Sequence, residues 1–313
     1  MQDIRGKMVV TGAAGFIGSN LVDGLLASGC EVIGIDDLSN GKLENLVLAR
    51  KDPKFTFKQA DVRDGKLMIR ICQDAGTLFH IAAFVSVPKS VAKPLECNSI
   101  NVIGTLNVLE AARLGKTERV VLSSSAAVYG DDPVLPKEET MIPTSISPYA
   151  SSKIAAEYYM QSYYHVHGIK TTSLRYFNVY GPRQDDSPYS GVLSIFLSRL
   201  SQDLPLSVFG DGTQTRDFVF VKDVVGANIL AATSDASAGQ VFNIATGNSV
   251  SLLEVIAFMK EIMGKEGIGV EFLEPRAGDI KHSQASVEKA KSILGYEPKY
   301  DVKTGLREYI SKT

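Results

Sequence analysis

The chain has 313 residues, 44% of them hydrophobic, enough for one large domain or two unequal ones that share a sizeable core. Its 33 lysines and arginines stand against 35 aspartates and glutamates with no charged tail, which excludes the basic footprint of a nucleic-acid binder. The longest apolar runs, such as Thr77–Val87, stop well short of the roughly 20 residues of a membrane-crossing helix, so no membrane partner is expected.

The opening Met1-Gln2-Asp3-Ile4-Arg5-Gly6-Lys7 leads straight into an apolar strand. It lacks the cationic start and long apolar stretch of a signal peptide, so a cytoplasmic address is expected. Up to about residue 175, short apolar strands alternate with longer amphipathic helices, the rhythm of a parallel sheet with helices on both faces. The predicted strands are Lys7–Thr11, Glu31–Asp36, Phe55–Ala60, Thr77–Ile81, Arg119–Ser123 and Lys170–Arg175, joined by right-handed crossovers. Six strands suit a dinucleotide-binding sheet, so the expected fold class is α/β, doubly wound. The first domain is expected over 1–178 and a smaller mixed α/β substrate domain over 179–313. In the second part Gly181–Pro188 reads as loop and Val192–Leu200 as helix. A helix over Asp223–Thr233 and a strand over Val241–Ile244 lie in a stretch, 217–246, expected to return to the first sheet.

Cys30, Cys72 and Cys97 are far apart and lie in apolar or helical surroundings, against both a disulfide framework and a cysteine metal site. His165 and His167 are two apart on a predicted helix and point to different faces, so no metal is predicted.

The first strand runs into Thr11-Gly12-Ala13-Ala14-Gly15-Phe16-Ile17-Gly18, and a helix is predicted from Phe16 to about Ser28. Glycines let the turn close and let a pyrophosphate approach the N–H groups at a helix start, where the dipole favours an anion. Asp36 ends the second strand, where a carboxylate accepts bonds from an adenosine ribose and repels a 2′-phosphate, which selects NAD over NADP. By the same logic Asp61-Val62 flank the adenine. The fifth strand ends in Ser123-Ser124-Ser125, and one helix later come Tyr149 and Lys153. Residues four apart share a helix face, so the ammonium is expected near the phenol, lowering its pKa toward that of a working general base.

Together with Arg175-Tyr176-Phe177-Asn178, Arg216-Asp217-Phe218 and Arg276-Ala277-Gly278-Asp279, these motifs resemble, in order, the extended short-chain dehydrogenase/reductase family. Within it they are most similar to UDP-hexose 4-epimerases, and the resemblance extends to Gly295-Tyr296-Glu297-Pro298. The resemblance implies that Tyr149 takes the proton of the sugar 4-hydroxyl while hydride passes from carbon 4 to NAD. Lys153 would bind the nicotinamide ribose and Ser125 would bond the reacting oxygen. The 4-keto sugar would then turn over and take the hydride back on its other face. It also implies cofactor contacts at Gly12, Gly15, Phe16, Ile17, Gly18, Asp36, Asp37, Ser39, Gly41, Asp61, Val62, Ala82, Ala83, Ser123 and Tyr176. Substrate contacts would fall at Ser86, Asn178, Val192, Arg216, Arg276, Asp279 and Ser283, with the arginine forks suited to a pyrophosphate.

Relatives that dehydrate or decarboxylate the sugar need an acidic or basic group just after the serine, where this chain has Ala126 and Ala127. The lysine that many hexose 4-epimerases carry near Val85 is absent, as in enzymes acting on N-acetylated sugars. The small Ser283 would leave room for an acetamido group. UDP-glucose and UDP-galactose are the expected substrates, with UDP-GlcNAc and UDP-GalNAc accepted. The alternatives are a UDP-glucuronate or UDP-xylose epimerase, a reductase, or a non-catalytic NAD(H)-sensing module. Helices over Cys97–Leu114 and Ser147–His167 carry apolar positions on several faces. Relatives pair through such helices, so a homodimer is expected.

Overall fold

The computed structural model describes residues 4–185, 191–275 and 280–312. Six strands are β1 (Lys7–Thr11), β2 (Glu31–Asp36), β3 (Phe55–Gln59), β4 (Thr77–His80), β5 (Arg119–Ser125) and β6 (Lys170–Tyr176). A seventh, Gln240–Ile244, pairs in parallel with β6, so the sheet exceeds the six strands expected from the first part of the sequence. The order is Gln240–Ile244, β6, β5, β4, β1, β2, β3. Strands β3 and β4 end one residue earlier than expected, and β5 runs on to Ser125.

The apolar runs follow from burial on both faces. In β1, Met8 and Val10 join the cluster around Leu21, Val22 and Leu25, while Val9 faces the opposite cluster with Leu78, Val120 and Met160. Helices α1 (Phe16–Ala27), α2 (Gly65–Ile71), α3 (Val87–Ala92), α4 (Pro94–Asn98), α5 (Gly104–Leu114) and α6 (Pro148–His167) flank or cap the sheet. The sequence predicts one helix over Cys97–Leu114, but a wide π turn at Ser99–Ile103 separates α4 from α5. Its reason lies in Asn101, whose amide reaches inward to Phe84 N (2.7 Å), Phe84 O (3.2 Å) and Ser152 Oγ (2.8 Å).

The remaining core gathers Tyr180, Phe196, Phe218, Phe220, Val255 and Leu306 from the second half of the chain. The helix Leu252–Met263 packs there behind a capping box of Ser251 and Glu254. Asp217, fully buried, holds the connections in place. Its carboxylate accepts from Thr246 N (2.8 Å), Thr246 Oγ1 (2.7 Å), Gly247 N (3.0 Å) and Ala285 N (3.2 Å). Among the described residues no helix is long and apolar enough to cross a membrane.

Candidate active site

The strand order reverses between β1 and β4, and a crevice opens beyond the carboxyl ends of strands at such a point. A cleft of about 1080 Å³ lies there, and all the positions expected to bind cofactor line it, from Gly12 to Tyr176. Gly12 closes the turn with φ +68°, and a Cβ there would stand 2.7 Å from Ala82 N. A Cβ on Gly18 would stand 2.0 Å from Gly12 O, so α1 meets the turn backbone to backbone. Helix α1 starts without a side-chain cap or an acidic residue in its first turn, which leaves its positive end to an anion. Asp36 accepts from Ala14 N (2.9 Å) and Leu38 N (2.8 Å); burial raises its pKa and these N–H groups oppose the rise. Asp37 Oδ1 accepts from Ser39 N (2.9 Å) and Oγ (2.7 Å). Asp61 is held below its ordinary pKa by the side chain of Arg63, whose Nε lies 2.9 Å from Oδ2. Sequence reasoning missed Arg63, Phe84, Lys89 and Gln184 on the cleft wall. Arg63 alone had a signal, two residues after Asp61.

Helix α6 starts at Ser147, whose hydroxyl accepts from Ala150 N (3.1 Å), with Pro148 in the first turn, so Tyr149 enters the site from a fixed first turn. The Ser125 and Tyr149 side chains both line the cleft, with the Ser125 hydroxyl close enough to the phenol to favour its ionised form. Lys153 Nζ donates to Ser123 O at 2.7 Å and stands 6.0 Å from the centre of the Tyr149 ring. This corrects one expectation. Burial raises the Tyr149 pKa, the nearby Ser125 hydroxyl opposes the rise, and the ammonium, turned onto a carbonyl, does not bring the phenol down. Lys153 itself is pulled down to about 8 by burial, against the charges of Cys97 and Glu157.

Asn178, Val192 and Arg216 line a second cavity of about 460 Å³ that shares Val179, Gln184 and Gly191 with the first. Arg216 Nη1 donates to Thr215 O at 2.9 Å, which aims the guanidinium from the strand Thr215–Arg216. Ser86 lines the first cleft and caps α3 by accepting from Lys89 N (3.3 Å). Ser283 lines neither cavity; it is half-buried beside the Arg216 strand, its N–H donating to Thr215 O at 3.1 Å. Arg276 and Asp279 lie outside the described residues.

A sequence model of the NAD dependent epimerase/dehydratase family matches residues 8–245. The chain belongs to this family. Over 309 residues it is 41% identical to a UDP-glucose 4-epimerase of Mycolicibacterium smegmatis, covering 98% of this chain and 97% of that one. Two solved structures superpose closely. A UDP-N-acetylglucosamine 4-epimerase of Methanobrevibacter ruminantium, in complex with UDP-N-acetylmuramic acid, has a TM-score of 0.93, 38% identity and coverage of 98% and 97%. A UDP-glucose 4-epimerase of Thermotoga maritima with UDP-glucose has a TM-score of 0.92, 39% identity and coverage of 98% of both chains. As in the family, the cofactor is NAD, and the bare-backbone turn, the uncapped helix start and Asp36 fit it.

In this epimerase/dehydratase the floor of the NAD cleft rests on His80. Thr105 Oγ1 gives its proton to Asn101 O (2.5 Å), so it accepts from His80 Nε2 (3.1 Å). His80 Nδ1 then accepts from Thr11 Oγ1 (2.8 Å), which itself accepts from Ala82 N (3.2 Å). The ring is neutral with its proton on Nε2. Burial, and then the Lys153 charge, push its pKa from 6.5 down to about 3. A depressed folded pKa gives stability that is full above the unfolded value and drains as pH falls toward the folded one. Between pH 7 and pH 5 this group removes about 2 kcal/mol. Urea unfolding of His80→Gln is expected to lose that much less stability over the same interval; an unchanged loss contradicts the assignment.

Proposed function

We propose that the enzyme interconverts UDP-glucose and UDP-galactose at carbon 4 and also accepts the N-acetylated counterparts. The carrying observation is that buried Tyr149 and Lys153 of α6 meet the half-buried Ser125 at the end of β5 in one cleft, with only the methyl groups of Ala126 and Ala127 following that serine. A methyl group moves no proton, so the chemistry stops at a change of configuration and does not continue to dehydration or decarboxylation. The known sugars of the Thermotoga and Methanobrevibacter relatives support both halves of the substrate range.

Tyr149 Oη takes the proton of the 4-hydroxyl while Ser125 Oγ holds the same oxygen, and the phenol later returns that proton to the inverted alcohol. When bound, NAD supplies reversible hydride acceptance and, in its oxidised form, a cationic ring. The Ser125 hydroxyl favours the ionised phenol, and Lys153, fixed by Ser123 O, is left to bind the nicotinamide ribose. Asn178 and Arg216 hold the nucleotide end in the second cavity, with Arg276 and Asp279 assigned to the same task. Residues 1–178 with 217–246 serve the cofactor and the remainder serves the nucleotide sugar.

Ser283→Tyr is expected to abolish turnover of UDP-GalNAc while leaving UDP-galactose within about threefold, a loss that a ring reaching toward the sugar from beside the Arg216 strand imposes on the bulkier sugar alone. NMR of each product decides. Equal rates on both sugars would remove Ser283 from the sugar site.

A homodimer is part of the proposal. Leu95 (86% exposed), Ile103 (44%), Tyr158 (56%) and Val166 (73%) lay an apolar strip along α4, the π turn and α6. Leu95→Glu is expected to convert a dimer to a monomer in light scattering, and a monomeric wild type would contradict it.

A further inference from the structure

Tyr149, Lys153 and Glu157 recur every four residues along α6 and lie buried on one face. Opposite them three serines close β5, and each meets a different member of that row. Ser125 faces Tyr149 in the cleft, Ser123 O receives Lys153 Nζ at 2.7 Å, and Ser124 Oγ donates to Glu157 Oε1 at 2.5 Å. Glu157 is gripped from the next strand as well. Arg175 Nε donates to Oε1 (3.0 Å) and Nη2 to Oε2 (2.7 Å). Arg175 stands directly across the ladder from Ser124, and its guanidinium lies 4.8 Å from the centre of the Tyr129 ring.

We propose that Ser124, Glu157 and Arg175 form a buried clamp that sets the register of α6 on β5, making them positioning residues for Tyr149 and Lys153. The inference rests on the epimerase reading and deepens it. Glu157 is 4% exposed and Arg175 3%. A pair so buried adds little net stability over apolar packing, because desolvation offsets attraction, whereas it does specify one arrangement. Sliding α6 along β5 would disturb the phenol and ammonium contacts together, and a small misplacement of reacting groups is costly in rate. The carboxylate also faces Lys153 one turn away. The other titratable groups facing Lys153 are Tyr149 on α6, Cys97 on α4 and His80 on β4, with Arg175 beyond Glu157. Among them Glu157 and Cys97 support the ammonium, so neutralising Glu157 lowers the Lys153 pKa further.

The test compares NAD-loaded wild type with Ser124→Ala, Glu157→Gln and Glu157→Gln/Arg175→Met, the last removing the arginine that Glu157→Gln leaves unpaired. With UDP-galactose, Ser124→Ala is expected to lose about tenfold in kcat with KM within about twofold. Glu157→Gln moves the alkaline limb of the kcat profile to lower pH. The double variant regains thermal stability without regaining kcat. An ultraviolet titration of the phenolate, taken as the difference from Tyr149→Phe, is expected to show a displaced Tyr149 pKa in Ser124→Ala. Wild-type kcat and pH profiles in Ser124→Ala and Glu157→Gln would overturn the clamp, as would recovery of kcat together with stability in the double variant. A wild type that leaves UDP-galactose unchanged refutes the epimerase reading instead, and the phenolate titration still decides the clamp.

Discussion

Tyr149→Phe is expected to lose about a thousandfold in kcat, the scale of a deleted general acid–base, or about 4 kcal/mol of barrier. KM should stay within about threefold, because the lost interaction matters chiefly in the transition state. The substitution removes one oxygen from a ring 9% exposed at the head of α6, so helix, cleft and cofactor binding persist. Bound NAD and melting temperature should therefore match wild type, which separates lost chemistry from lost fold. Steady-state kinetics with UDP-galactose checks the first part and absorbance of nucleotide released on denaturation checks the second. Equal turnover in the two proteins would remove Tyr149 from the chemistry, and absence of turnover in both would favour an NAD(H)-sensing module.

Gly12→Ala is expected to abolish retention of NAD. The residue holds φ +68°, and its new Cβ would meet Ala82 N at 2.7 Å and Ala82 Cα at 2.8 Å, both backbone atoms that cannot swing aside. Left-handed strain costs stability, about 1–2 kcal/mol, while relief of the clash moves the turn away from the pyrophosphate, and a binding loss near 3 kcal/mol corresponds to about a hundredfold in affinity. Gly168→Ala is the control. It carries the same kind of strain at φ +71° beyond the end of α6 with nothing within 4 Å of its Cβ. That variant should lose stability and keep NAD. Equal retention in both variants would mean that the Gly12 approach does not serve the cofactor.

Much of the fold was legible because a two-sided parallel sheet writes itself as short apolar runs. The runs at Lys7–Thr11 and Glu31–Asp36 matched the strands residue for residue. The strand Gln240–Ile244 was legible as the apolar run Val241–Ile244 in a stretch expected to return to the first sheet, while its choice of β6, some seventy residues earlier, leaves no local signature. The π turn at Ser99–Ile103 was hidden because Asn101 sits inside a helical apolar pattern, and its inward bonds exist only once Phe84 and Ser152 are in place. In the site, spacing put Tyr149 and Lys153 on one helix face, yet it could not say where the ammonium is tethered. The Ser123 carbonyl takes it, and the phenol is left to burial. The split of the substrate positions between two cavities was likewise invisible in the sequence, because it depends on where the fold brings Val179, Gln184 and Gly191, which line both.

In the proposed reaction the hydrogen leaving carbon 4 returns to it within one site. The direct measurement uses UDP-galactose deuterated at carbon 4, incubated in ordinary water with the purified protein and no added cofactor, with the product read by NMR. The expected product is UDP-glucose with deuterium still on carbon 4. Deuterium lost to solvent, a 4-keto-6-deoxy product, or unchanged UDP-galactose would contradict it.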